Sequence, residues 1–263
     1  MEKILKFCIP AIILIFTAQS GWGYDPSQHG AKDGGKHAGG HHGYHMRKGP
    51  PEDIPAHIRE RASEDGSGIN LNRSQIGIEG MKILAATPYL KNVATLALQG
   101  NNLGDEGTKI LASSDTFRNA EMISLWDNNI TAQGAQYLAD STTLTHLKEL
   151  ILSRNKLGDE GIAALAASAN ADTLETLHVD GNQLTDRGAL AIANSLHLTN
   201  LKRLDLYHNQ IGPEGLNALI QSGNLPNLEY LQILNNAFDV DEGIQSLKSI
   251  RLPKLKPENL IVR

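Results

Sequence analysis

Apolar residues along most of this chain follow two periods, one nested inside the other. Over a few residues they alternate, as in Leu96-Ala-Leu98, Ile123-Ser-Leu125 and Leu204-Asp-Leu206, which is the signature of a strand with one buried face. Some ten residues later they cluster in Leu-Ala pairs such as Leu111-Ala112, where a helix would lay one face on the strand layer. The composite unit then recurs: INLNRSQIGIEGMKILA (69–85), LALQGNNLGDEGTKILA (96–112), ISLWDNNITAQGAQYLA (123–139), LILSRNKLGDEGIAALA (150–166), LHVDGNQLTDRGALAIA (177–193) and LDLYHNQIGPEGLNALI (204–220). A seventh unit, LQILNNAFDVDEGIQSL (231–247), carries one extra residue before its glycine. Every unit starts 27 residues after the last, and chance does not hold seven units in one register.

The shared pattern is L-x-x-L-x-L-x-x-N-x-[IL]-[GT]-x-x-G-x-x-x-L-A, and it resembles the leucine-rich repeat family, in its ribonuclease-inhibitor-like type with a helix in each repeat. The resemblance covers residues 69–247. It implies an α/β solenoid, a curved horseshoe arc with parallel strands on the concave face and helices on the convex face, stable only by stacking. It specifies fold far better than function.

Each column of the motif has a physical task. Asn101, Asn128, Asn155, Asn182, Asn209 and Asn236 stand where the chain leaves the strand, and an amide offers both donors and an acceptor to backbone groups buried there. The first repeat has Ser74 instead. Leu103, Ile130, Leu157, Leu184 and Ile211 are expected to plug the core from the turn. Gly104, Thr131, Gly158, Thr185 and Gly212 form a candidate N-cap column, with Pro213 at a tolerated first-turn position. Glu79, Glu106, Glu160 and Glu214 suit helix N-termini. The glycines at 80, 107, 134, 161, 188 and 215 predict close approach of neighbouring turns.

The flanks differ in kind. Residues 1–23 join Lys3 and Lys6 to a short apolar run from Ile9 to Ala18, too short for a spanning helix, and are expected to be a secretory signal. Cys8 is the only cysteine, so a mature chain would have neither disulfides nor thiol chemistry. Residues 24–50 contain seven glycines and no Leu, Ile, Val or Phe, so they predict a disordered tether. Residues 51–68 predict an N-terminal cap with one short helix, Pro55 in its first turn and Ile58 packed on the domain end. Residues 248–263 predict a C-terminal cap with a last strand near Leu260. A net charge of −5 gives no basic excess for a phosphate backbone, so nucleic acid is not an expected partner.

Candidate chemistry lies in what the motif leaves free. The variable strand positions should face the concave side, and the later repeats place there Trp126, Arg154, His178, Asp180, Arg203, Asp205, Tyr207, His208 and Tyr230. Tryptophan, tyrosine and arginine dominate binding hot spots, so this set is the expected partner surface, with its aromatics exposed. His178 should stand beside Asp205 on the next strand. Such a pair could hold a cation, but charged pairs on a ladder face are expected to be solvated. No nucleophile elbow, phosphate loop or HExxH motif occurs, and no enzyme activity or cofactor is expected. His29, His37, His41, His42 and His45 in the tether are candidate weak ligands for zinc, nickel or copper. The expectation is a secreted or periplasmic monomer that binds a protein partner, away from any membrane once mature. The alternatives are a metal-handling protein whose His-rich tail collects cations, and a structural envelope or extracellular component.

Overall fold

The computed structural model describes residues 49–239, 241, 245 and 249–262. The signal expected over 1–23 and the His-rich segment, with candidate ligands His29, His37, His41, His42 and His45, lie outside the described residues. Eight short parallel strands form one open sheet in sequential order: β1 (Gly68–Asn70), β2 (Thr95–Ala97), β3 (Met122–Ser124), β4 (Glu149–Ile151), β5 (Thr176–His178), β6 (Arg203–Asp205), β7 (Tyr230–Gln232) and β8 (Leu260–Ile261). The 27-residue period becomes register without any shift. Thr95 pairs with Met122, Met122 with Glu149, Glu149 with Thr176, Thr176 with Arg203 and Arg203 with Tyr230. Between the strands run α2 (Gly77–Ala85), α3 (Gly104–Ser113), α4 (Ala132–Ala139), α5 (Gly158–Ala167), α6 (Asp186–Ala193) and α7 (Pro213–Ile220), each packed on the next. This is an α/β leucine-rich-repeat solenoid.

Strand, turn and helix each send leucines into the same layer. Leu96 and Leu98 from the strand, Leu103 from the turn and Leu111 from the helix are all fully buried, and the other repeats between residues 69 and 220 supply buried equivalents. Such a unit cannot cover its own apolar face, so its neighbours must. The first unit is covered by α1 (Ile54–Arg61), whose N-cap Asp53 accepts the Ala56 N–H at 2.9 Å. Ile58 is buried from that helix, and His57 Nε2 meets Ser74 Oγ at 2.8 Å. The atypical serine of the first repeat thus bonds to the cap rather than to another repeat.

Three side-chain rows tie each repeat to the one before it. In the asparagine row, Asn128 Oδ1 accepts the N–H groups of Asn101 (3.0 Å) and Leu103 (3.3 Å), and its Nδ2 donates to the Leu98 carbonyl (2.8 Å). Asn155 repeats this with the N–H groups of Asn128 and Ile130 (both 3.0 Å) and the Leu125 carbonyl (3.0 Å). In the serine row, the hydroxyls of Ser114, Ser141, Ser168, Ser195 and Ser222 donate to the carbonyls of Ala85, Ala112, Ala139, Ala166 and Ala193, where the preceding helix ends.

The third row corrects part of the N-cap column expected from the sequence, in which Thr131, Thr185 and Gly212 do stand at N-caps. Gly104 and Gly158 do not cap; they open their helices with φ of +57°, a conformation that side chains with a Cβ rarely adopt. Only Thr131 and Thr185 provide a capping hydroxyl, to Gln133 and Arg187. The stronger cap comes from the previous repeat. Asp105 accepts the N–H groups of Thr131 (2.8 Å) and Gly134 (3.0 Å), and Asp159 accepts those of Thr185 (2.8 Å) and Gly188 (2.9 Å). Asp186 does the same for Gly212 and Gly215. A carboxylate here both satisfies orphan donors and faces the positive end of the helix dipole. It also explains the glycine column in these repeats. A Cβ at Gly134, Gly188 or Gly215 would stand 2.6, 2.7 or 2.6 Å from the aspartate oxygen.

Candidate functional site

The sheet face turned away from the helices is the only one on which the variable strand positions converge, by strict alternation with the buried leucines. On it the residues read from sequence fall into three groups. Trp126 lies between two guanidiniums, with Arg154 at 5.3 Å and Arg73 at 6.0 Å from its ring. It was expected to be exposed and is not: only 7% of it reaches solvent. A single ring spans the width of a strand spacing, and long arginine stems from both sides cover it. Trp126 is therefore a packing element of this face, and Arg154 and Arg73 are what the solvent meets.

The second group is aromatic and sits at the far end. Tyr207 and His208 are exposed, their rings 5.9 Å apart and tilted. His208 also meets Asn235 through its ring nitrogen, and its backbone lies at φ +55° in the same column as Arg73, Asp127 and Arg154. Arg203 lies 4.3 Å over the half-buried Tyr230 ring, a cation–π distance. Burial, then the nearby Asp205 charge, raise the Tyr230 phenol above its ordinary range, with Arg203 opposing them.

The third group lies between the other two. His178 on β5 is in register with Asp205 on β6, and their nearest atoms, Nδ1 and Oδ2, are 3.7 Å apart. Asp180 follows His178 by two residues and so projects to the same side. Ser153 Oγ, one repeat earlier, donates to Asp180 Oδ1. The Tyr207 N–H donates to Asp205 Oδ1 at 2.9 Å, which leaves Oδ2 facing the imidazole. These side chains are not solvated as the sequence suggested. His178 and Asp205 have 13% and 17% of their side chains exposed, and Asp180 is buried. Loss of water, and then repulsion from Asp205, push the Asp180 carboxyl up to about 6, against the Ser153 hydrogen bond and His178. Among the described residues, His178, Asp180 and Asp205 form a group whose ligand atoms all lie within 4.8 Å of one another.

The sequence reading therefore placed all nine residues on one face, but did not anticipate that four of them would be buried or nearly so. It also overlooked Ser153 and Arg73. Ser153 was detectable as the residue 27 positions before Asp180, and Arg73 lies in the column of Arg154.

The family model described as leucine-rich repeat matches four stretches of the chain, residues 89–112, 143–166, 172–193 and 197–219. The chain is a leucine-rich repeat protein. No curated protein sequence matches it. Among solved structures, it is similar to an internalin (inlF) from Listeria monocytogenes str. 4b F2365, with 23% identity over 72% of this chain and a TM-score of 0.49. It spans 46% of the length of that protein. An internalin C2 (inlC2) from the same strain is 20% identical over 67% of this chain and 75% of its own, with a TM-score of 0.44.

Proposed function

We propose that this protein is an exported, non-enzymatic interaction module that docks a protein partner on the strand face of its solenoid, over the last four repeats. Stacked repeats generate a long continuous face, and such faces serve as binding surfaces. The observation that carries the reading is the composition of one end of it. Tyr207, His208, Tyr230, Arg203 and the Asp205 carboxylate crowd β6 and β7, while β1, β2 and the residues just after β2 present Asn70, Thr95 and Gln99. Aromatic and guanidinium groups held in place by stacking bury large area at little entropic cost, which is what interface hot spots do. Arg154 extends the surface toward the middle of the sheet, and Trp126 supports Arg154 from beneath. Export rests on the sequence pattern of residues 1–23, and the proposed partner is neither nucleic acid nor membrane, with the module itself monomeric. Among the described residues no helix is long and apolar enough to cross a membrane.

A photo-crosslinking amino acid placed at Tyr207, at Asn70 and at the exposed Leu196 in the producing cell tests the reading. One discrete adduct from the Tyr207 position, absent from the other two, is expected. Adducts of equal yield from all three positions, or from Leu196 alone, would overturn it.

A further inference from the structure

We propose that His178, Asp180 and Asp205 form a binding site for a first-row divalent cation of the zinc or manganese type on the strand face. The placement follows from the repeat. His178 and Asp205 are paired across adjacent strands, and Asp180 stands two residues beyond His178 on the same side. Their ligand atoms lie within 4.8 Å of one another, and His178 Nδ1 is 3.7 Å from Asp205 Oδ2. Nitrogen and oxygen donors bind zinc at about 2.0–2.2 Å, so two donors on one ion stand about 3–4 Å apart. The 3.7 Å pair already has that spacing, and a pair at the 4.8 Å limit enters the window with a side-chain shift of about 0.8 Å.

Each carboxylate is also oriented by a second group. The Ser153 hydroxyl holds Asp180 Oδ1, and the Tyr207 N–H holds Asp205 Oδ1. Outer hydrogen bonds of this kind fix a ligand's direction and are a regular part of metal sites. The charge balance points the same way. Two carboxylates face one imidazole in a largely water-excluded place, and Arg203, on the same strand as Asp205, lies over the Tyr230 ring. A divalent ion would neutralise both carboxylates at once. One imidazole with two carboxylates is a borderline donor set, suited to zinc or manganese rather than to calcium or magnesium, which favour oxygen alone. Three protein ligands leave at least one coordination position open on the face where the partner is proposed to dock.

The test uses the full chain with His29, His37, His41, His42 and His45 replaced by serine, so that the His-rich segment contributes no ligand. After treatment with chelator and its removal, Zn2+ alone is titrated by calorimetry, with Mg2+ as the comparison. One equivalent of Zn2+ with micromolar or tighter affinity is expected, together with a rise in melting temperature. Asp180→Asn and, separately, Asp205→Asn should weaken binding at least tenfold with an unchanged circular dichroism spectrum. Ser153→Ala should weaken it by about 10–100-fold, the usual effect of losing an outer-shell partner. Millimolar or absent Zn2+ binding in the histidine-substituted chain, undiminished binding by both folded aspartate variants, or a preference for Mg2+ over Zn2+ would overturn the assignment. Neither result depends on a protein partner, so the metal site and the docking surface stand or fall separately.

Discussion

Replacing Asn155 with alanine isolates the interaction that holds the repeats in register. The side chain accepts the N–H groups of Asn128 and Ile130 at 3.0 Å and donates to the carbonyls of Leu125 (3.0 Å) and Leu152 (2.8 Å), all away from water. Alanine leaves two buried N–H groups without an acceptor, at about 1–3 kcal/mol each, and two carbonyls short of a donor. The expected loss is about 3–5 kcal/mol, a large part of a domain stability of about 5–15 kcal/mol. Because three of the four partners belong to the preceding repeat, the damage is to the coupling between neighbours and not to one repeat alone. In a chain whose stability is a sum of unit and interface contributions, that should broaden or split the urea transition. The assay is urea denaturation by circular dichroism, with amide exchange at Asn128 and Ile130 as the local readout. Asn119→Ala, at an exposed asparagine that bonds only the Lys91 carbonyl, serves as the control and should stay within about 0.5 kcal/mol. An Asn155→Ala protein with the wild-type midpoint, or with Asn128 and Ile130 amides still fully protected, would refute the reasoning.

Asp159→Ala should destabilise by about 1–2 kcal/mol in thermal melts, because α6 loses acceptors for the Thr185 and Gly188 N–H groups, while Glu160→Ala next to it should change little. Trp126→Ala should cost about 3 kcal/mol of folding stability by urea titration, as a buried ring would, whereas Arg154→Ala should cost under about 1 kcal/mol. In chelator-treated protein, Asp180→Asn should raise stability at pH 8. The folded-state carboxyl titrates near 6 against 3.8 ordinarily, so its ionisation opposes folding above that range by up to about 3 kcal/mol. The native Asp180 is fully tolerated below pH 4, and its contribution is lost as pH rises through 6, so the gain from asparagine should vanish in melts at pH 4.

The repeat made the fold legible because its period equals the strand register: the six aligned asparagines from Asn101 to Asn236 are one ladder seen from the side. Leu96, Leu98, Leu103 and Leu111 could be placed in the core from spacing alone. What spacing within a repeat could not show is which side chains reach across to the next. Asp105, Asp159 and Asp186 look like ordinary first-turn acids of their own helices, yet their oxygens serve the following helix, since the gap between stacked turns is narrower than the side chain is long. The serine row was present in the sequence at 114, 141, 168, 195 and 222, and only its bonding to the previous helix end was hidden. Exposure of the strand face was the least legible property. Whether Trp126 or Asp180 meets water depends on the volumes of side chains from other repeats, such as Arg73 and Arg154 at Trp126, and alternation says nothing about those.

The central claim is that binding energy concentrates on the strand face over β6 and β7. The direct measurement is the dissociation constant of the crosslinked partner, once purified, for Tyr207→Ala and Arg203→Ala beside Asn70→Ala and Thr95→Ala. The account predicts a loss of about 30-fold or more for each of the first two, the ~2 kcal/mol of a hot spot, and no more than about twofold for the others. Equal losses across all four variants, or full affinity in the Tyr207 and Arg203 variants, would contradict it.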